Sequence, residues 1–140
     1  MAERITFIVG PVTIGERQPQ TRRLPHSPNV VRNMHWAPRS RWTKGWKDAS
    51  YWAAESALRS HKMYKGMRPV DNITISFEIH AIQSQDPDNM LASMKPIIDG
   101  IVQTGIIKDD TKEYISIDGL DIKRVSHREQ ELLKINLYIP

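Results

Sequence analysis

Ile73-Thr74-Ile75-Ser76-Phe77-Glu78-Ile79-His80-Ala81 alternates apolar and polar residues at every step. Successive side chains of a strand point to opposite faces, so Ile73, Ile75, Phe77 and Ile79 share one side while Thr74, Ser76, Glu78 and His80 share the other. The stretch reads as a half-buried strand, which puts a sheet at the centre of the fold. Upstream, Thr6-Phe7-Ile8-Val9 is a short apolar run closed by Gly10-Pro11, and reads as a strand or strand edge. Downstream, Ile115, Ile117, Leu120 and Ile122 alternate with a slip at Gly119, which predicts a strand carrying a bulge. Leu133, Ile135, Leu137 and Ile139 alternate cleanly, and residues 126–130 supply a short polar loop before them. These last two strands are expected to pair as a hairpin.

Two helical stretches lie between the strands. Over residues 41–62, Trp42, Trp46, Ala49, Ala53 and Ala57 recur at three- and four-residue steps and make one apolar stripe. Residues 88–104 read as a second helix, with Asp88 as its N-cap and Gly105 as its stop. Pro96 lies too deep for an unbroken helix, so the chain either kinks there or restarts with Pro96 in a new first turn. Residues 15–40 are rich in Arg, Asn, Ser and Pro, including Pro19, Pro25, Pro28 and Pro38, and are expected to be mostly irregular. The resulting order is β-α-β-α-β-β. It predicts an α+β fold, a single domain over residues 1–140 with a small mixed sheet and two main helices.

Composition sets the outer limits. The chain has 140 residues, no cysteine and a formal net charge of +4. That length supports one core without staples, and the absence of cysteine excludes disulfides, thiolate metal sites and a cysteine nucleophile. No apolar run approaches a membrane span, and Met1-Ala2-Glu3-Arg4 lacks a basic-then-apolar leader, so the expected location is the cytoplasm, bacterial or of a phage-infected host, with no membrane partner. The net charge conceals a split. Residues 1–70 carry 13 Lys/Arg against 4 Asp/Glu, whereas residues 71–140 carry 7 against 12. A basic half beside an acidic half suits a polyanion surface next to an acidic site, or two ordinary solvated faces.

The acidic half concentrates its charge. Asp86, Asp88, Asp99, Asp109 and Asp110 fall within 25 positions. Pro87 pushes Asp86 toward extended backbone, where residues i and i+2 share a side. Asp86 and Asp88 would then stand roughly 6.5 Å apart at Cα, at about 3.3 Å rise per residue. Carboxylates that close call for a cation, and an all-oxygen donor set selects Mg²⁺, with Mn²⁺ as a substitute. Lys95 and Asp99 are i,i+4, and a chain folding back after Gly105 would bring Asp109-Asp110, read as the start of a strand, beside Asp86 and Asp88. The bland reading of any single aspartate here is a cap or a turn.

Asp86-x-Asp88-Asn89, Lys95-x-x-x-Asp99, the turn at Gly105 and Asp109-Asp110 together resemble the RusA family of Holliday-junction resolvases. The Asp-Pro-Asp-Asn…Lys-Pro form is similar to a phage-type branch of it. The likeness is close over residues 84–112, the catalytic motif, and looser at Leu24-Pro25-His26-Ser27-Pro28-Asn29. It implies a RusA-like fold and a Mg²⁺-dependent, homodimeric endodeoxyribonuclease that cuts four-way DNA junctions in recombination and repair. Carried over, Asp86, Asp88 and Asp110 are metal-binding catalytic carboxylates and Lys95 is a catalytic lysine. Asn89, Asp99 and Asp109 support them. A flap- or fork-selective nuclease, or a non-catalytic binder of branched DNA, is the alternative.

The basic half then supplies a grip on phosphate. Arg22, Arg23, Arg32, Arg39, Arg41 and Lys44 are the candidate DNA-binding residues. Trp36 is the candidate to stack on an unpaired base, whereas Trp42 and Trp46, spaced i,i+4 with alanines behind them, fit a core better. His80, six residues before Asp86, is either a neighbour of the site or a satisfied strand-end histidine. Gly10 to Gly15 has the glycine spacing of a phosphate loop but continues Glu16-Arg17, and no His-Glu-x-x-His occurs.

Overall fold

The computed structural model describes residues 3–83 and 85–140. Strand β1 (Glu3–Val9) leads into a small hairpin of β2 (Val12–Ile14) and β3 (Gln20–Arg22). Helix α1 (Pro28–Asn33) and the long α2 (Trp36–Ser60) follow, then β4 (Ile73–Ala81), α3 (Pro87–Ala92), α4 (Lys95–Gln103), β5 (Ile115–Arg124) and β6 (Leu132–Ile139). The mixed α+β class therefore stands, with more elements than the periodicity predicted.

β4 is the expected strand, with Ile73, Ile75, Phe77, Ile79 and Ala81 all buried. It is an inner strand of a four-stranded sheet ordered β1-β6-β4-β5. Ile5, Phe7 and Val9 of β1 and Leu133, Ile135, Leu137 and Ile139 of β6 join the same core. Each such side chain contributes roughly 1.5–3 kcal/mol on burial, so this apolar layer outweighs any single polar contact in the molecule.

The expected β5–β6 hairpin is not formed. β6 pairs antiparallel with both β1 and β4, and β5 lies parallel to β4 on its other side. The reason is burial. β6 offers four apolar residues to the core and gains two neighbours, whereas β5 is mostly exposed and takes an edge. A parallel pair needs a long crossover, which α3 and α4 supply. The bulge is where the sequence put it: Ile75 pairs with Ile117 and Ser76 with Gly119, so Asp118 is skipped, and Gly119 has φ +141°.

Residues 15–40 are more ordered than their prolines suggested. They contain β3, α1 and the first turn of α2. Pro28 opens α1 behind the Ser27 cap, and Pro38 lies in the first turn of α2, where no intrahelical donor is lost. His35 caps α2 by accepting the Ala37 amide at its Nδ1, 3.4 Å. Of the expected apolar stripe of α2, Trp42 and Trp46 are buried and Ala49, Ala53 and Ala57 are partly buried against the core, while the fully buried line continues through Ala54 and Leu58.

α4 crosses α2 at Gly100. A Cβ there would collide with the Lys47 carbonyl and approach Ser50 Cβ to 2.8 Å, so only glycine permits this contact. Ser50 Oγ donates to the Ile97 carbonyl across the same crossing, 2.7 Å. The clasp fixes α4, and with it Lys95 at its first position. A second tie is the buried pair of Glu55 and Arg68, which no sequence pattern announced. Arg68 donates to both carboxylate oxygens at 2.8 Å and to the Met63 and Thr104 carbonyls.

Candidate active site

Asp86, and not Asp88, caps α3. Asp86 is extended, φ −79° and ψ 120°, as Pro87 dictates, and its Oδ1 accepts the amides of Asp88 at 2.9 Å and Asn89 at 3.4 Å. Asp88 and Asn89 already belong to the first turn of α3. The extended i,i+2 geometry therefore ends at Asp86, and the expected alignment of Asp86 with Asp88 along one strand face is replaced by a helix start. Both carboxylates remain exposed.

The helix stops at Ala92 and restarts at Lys95, with Pro96 in the new first turn. Ser93 closes the joint: its amide and its hydroxyl both donate to the Asn89 carbonyl, at 3.1 and 2.9 Å. Of the two outcomes Pro96 allowed, the chain takes the restart.

α4 ends at Thr104, and Gly105, φ +80°, turns the chain back. Ile106 and Ile107 are buried, and the Val70 amide donates to the Ile106 carbonyl at 2.8 Å. These anchors hold the exposed Asp109-Asp110 in the turn ahead of β5, which begins only at Ile115. Asp109 Oδ1 accepts the Asp110 amide at 2.7 Å and so orients its neighbour.

Here the fold-back expected from the sequence occurs, toward Lys95. Lys95 Nζ donates to Asp110 Oδ2 at 2.5 Å and to Asp99 Oδ1 at 2.8 Å. The two carboxylates, Asp110 first, hold the Lys95 ammonium well above the usual lysine range. Lys95 in turn lowers the Asp110 carboxyl. Both partners are thus fixed in their charged forms at neutral pH, and the cluster is open to solvent, with Lys95 62% and Asp110 36% exposed.

The donors suit a hard divalent cation by type, since they are all exposed carboxylate oxygens. They are not gathered for one: among the described residues, no three acidic or histidine side chains stand close enough to hold a metal together. Asp86 spends one oxygen on its cap, Asp88 has turned into the helix, and Asp110 is held by Lys95. The expected trio of Asp86, Asp88 and Asp110 is thus divided between the start of α3 and the Lys95 cluster.

The candidate DNA-binding residues divide as well. Arg22 is half-buried and donates through Nε to the Leu24 carbonyl at 3.0 Å, which tethers its guanidinium to the end of β3. Arg23 is partly buried, while Arg32, Arg39, Arg41 and Lys44 are exposed. Arg41 and Lys44 line an open cleft with Arg17 of the β2–β3 turn, and Lys44 pairs with Asp48 at 2.9 Å. Arg32 and Arg39 border a different cavity, of about 320 Å³, with His26, Trp42 and Trp46 among its walls. Trp36, 69% exposed, stands at the first position of α2. His80 is the satisfied histidine, with Nε2 on Glu78 at 3.0 Å.

His26 is the residue the sequence reading passed over. Its ring lies 5.0 Å from the Trp42 ring at an interplanar angle of 71°, and burial, helped by Arg22, pulls its imidazole down to about 4. The available signal was its place in Leu24-Pro25-His26-Ser27-Pro28, ahead of a capped helix. No family model and no curated protein matches the chain.

Proposed function

We propose that this chain is a RusA-like, Mg²⁺-dependent endonuclease that acts on branched DNA, with the four-way junction as its substrate. The observation that carries the reading is the Lys95–Asp99–Asp110 cluster: an exposed ammonium fixed between carboxylates at the start of α4, which follows directly on the short α3 whose start carries Asp86 and Asp88. The reading requires Asp86, Asp88 and Asp110, which stand divided between the α3 start and the Lys95 cluster, to close on the metal, Mg²⁺ or Mn²⁺ in its place. When bound, the ion supplies water activation and neutralises charge on the leaving oxygen. Lys95, permanently charged, serves as a point charge toward the scissile phosphate. Asp99 and Asp109 hold Lys95 and Asp110 in position. Arg32, Arg39, Arg41 and Lys44 on the helical arm take phosphates on either side of α2.

A homodimer belongs to the proposal, because a two-fold junction presents two equivalent strands to a two-fold enzyme. A membrane location has no support among the described residues, where no helix is long and apolar enough to cross one. The test is a cleavage panel of four-way junction, flap, fork and duplex DNA in Mg²⁺, beside Asp86→Asn and Asp110→Asn. Cleavage of the junction above the others, lost in both variants with binding retained, is the expected result. Preference for flap or fork moves the substrate assignment. Binding without cleavage in Mg²⁺ or Mn²⁺ makes the chain a binding protein.

A further inference from the structure

We propose that the Lys95 ammonium is the resident cation of its carboxylate cluster, and that Asp110 reaches a divalent ion only when Lys95 lets it go. The proposal rests on the metal-dependent reading above and adds to it what holds Asp110 away from Asp86 and Asp88.

The contacts set the lysine and a metal against each other. Lys95 Nζ donates to Asp110 Oδ2 at 2.5 Å and to Asp99 Oδ1 at 2.8 Å, so one ammonium bridges a carboxylate of α4 and one on the turn ahead of β5. Asp109 Oδ1 accepts the Asp110 amide and fixes the backbone from which Asp110 reaches back. A metal on Asp110 Oδ2 would share that oxygen with the ammonium, and like charges on one oxygen repel. The bond is also one that a competitor can reach, because Lys95 is 62% and Asp110 36% exposed. In solvent such a pair is weak, and a divalent ion brings twice the charge to the same carboxylate.

The helix itself does not call for a lysine here. Lys95 is the first residue of α4, and Met94 before it makes no side-chain cap. A helix start carries partial positive charge, which disfavours a cation in the first turn. The two carboxylates offset this, and no other lysine or arginine lies between Asp86 and Lys108 to share the task. Lys95 thus cancels one of the two negative charges with which Asp99 and Asp110 would draw a metal ion.

The two tethers differ in what they permit. Asp99 stands one turn along the same helix as Lys95, so their bond survives a movement of the turn that carries Asp110. Release of Asp110 therefore leaves the ammonium beside the site on Asp99, with two hydrogens for phosphate oxygens. The same release frees the one member of the trio that is bound away from Asp86 and Asp88. Lys95 does two jobs in turn: it neutralises the cluster before the metal arrives and faces the phosphate afterwards.

The experiment measures Mn²⁺ binding to the full chain by titration calorimetry at pH 7, for the wild type, Lys95→Met and Lys108→Met. Lys95→Met keeps the bulk of the side chain and removes its charge. Lys108→Met removes an equal charge from an exposed residue just before Asp109-Asp110. The ammonium signal of Lys95 is followed by NMR during titration of the wild type with Mg²⁺. The expected outcome is that Lys95→Met binds Mn²⁺ about tenfold more tightly than the wild type, the scale on which groups touching metal ligands change affinity. Lys108→Met gains about twofold at most, because exposed charges outside the contact are screened, and the Lys95 signal moves as Mg²⁺ saturates. Equal or weaker binding by Lys95→Met overturns the exchange and leaves the nuclease reading to the cleavage panel. An equal gain in Lys108→Met also overturns it, since the effect is then one of general charge. Tighter binding by Lys95→Met in a chain that cuts no DNA keeps the exchange and removes the nuclease reading. Absence of Mn²⁺ binding in all three proteins removes both.

Discussion

Glu55 and Arg68 meet with side chains 4% and 2% exposed, whereas Lys95 meets Asp110 and Asp99 at 62%, 36% and 37%. The chemistry is the same and the surroundings are opposite. Arg68 is engaged at all three guanidinium nitrogens by Glu55, Met63 and Thr104, and so is closed to any newcomer. The Lys95 ammonium has three hydrogens for two carboxylates and stands in solvent, so a ligand can compete for every member of that cluster. The buried pair ties α2 to the end of α4 and holds the scaffold together. The exposed cluster adds little to stability and keeps its charges available.

The largest expected effect lies on the buried side. Arg68→Ala leaves the buried Glu55 carboxylate to Arg59 alone and opens the Met63 and Thr104 carbonyls, and should cost about 3 kcal/mol in urea unfolding. A loss below about 1 kcal/mol would place the pair in the surface class. Glu55 also sets an acid limit. Arg68, then Arg59, pulls its carboxyl from 4.5 to about 2 against the opposing effect of burial. A folded value below the unfolded one means that this contribution is complete above about pH 4.5 and fades as pH falls toward about 2. Glu55→Gln should flatten the stability–pH curve in that window, and an unaltered curve would show that another group controls acid unfolding.

On the exposed side the expectation reverses. Asp110→Asn should leave the urea midpoint in place and lower Mg²⁺-dependent cleavage by about 100-fold or more. A variant that cuts normally removes Asp110 from the site, and one that unfolds shows the two clusters to be alike. For the arm, Arg32→Ala and Arg39→Ala should each reduce the salt slope of DNA binding by about 0.9. Arg22→Ala should lower stability as well, because its half-buried guanidinium is tethered through Nε to Leu24.

These contrasts follow what sequence pattern does and does not encode. Alternation marks which face of β4 is buried, and it was right at every core position. It carries no information about neighbours, so β5 and β6 looked like a hairpin until the greater apolar content of β6 placed it between β1 and β4. The prolines of residues 15–40 suggested loop because proline breaks helix interiors, yet Pro28 and Pro38 stand in first turns, where it does no harm. The i,i+4 spacing of Lys95 and Asp99 was legible, and the turn at Gly105 explained how Asp110 could return. Asp86 as the cap was one step from the reading, since a proline after it fits an N1 position as well as an extended chain. Glu55 and Arg68 stand 13 residues apart across a turn, a separation no helical or strand period singles out.

The smallest effect is the most diagnostic of the exposed cluster. Asp99 shares Lys95 with Asp110, is itself 37% exposed, and lies one helical turn along α4. Exposed i,i+4 pairs contribute about 0.3–0.5 kcal/mol, and here Asp110 remains to hold the ammonium when Asp99 is gone. Asp99→Ala should therefore move the urea midpoint barely at all. The same change frees one of the two tethers on Lys95. If positioning of that ammonium matters to cleavage, kcat falls while KM for junction DNA holds, and Asp99→Asn, which keeps a hydrogen-bond acceptor, recovers part of the loss. A stability loss near that of Arg68→Ala would instead mean that the Lys95 cluster braces the fold, and the division between a structural pair and a working one would be lost.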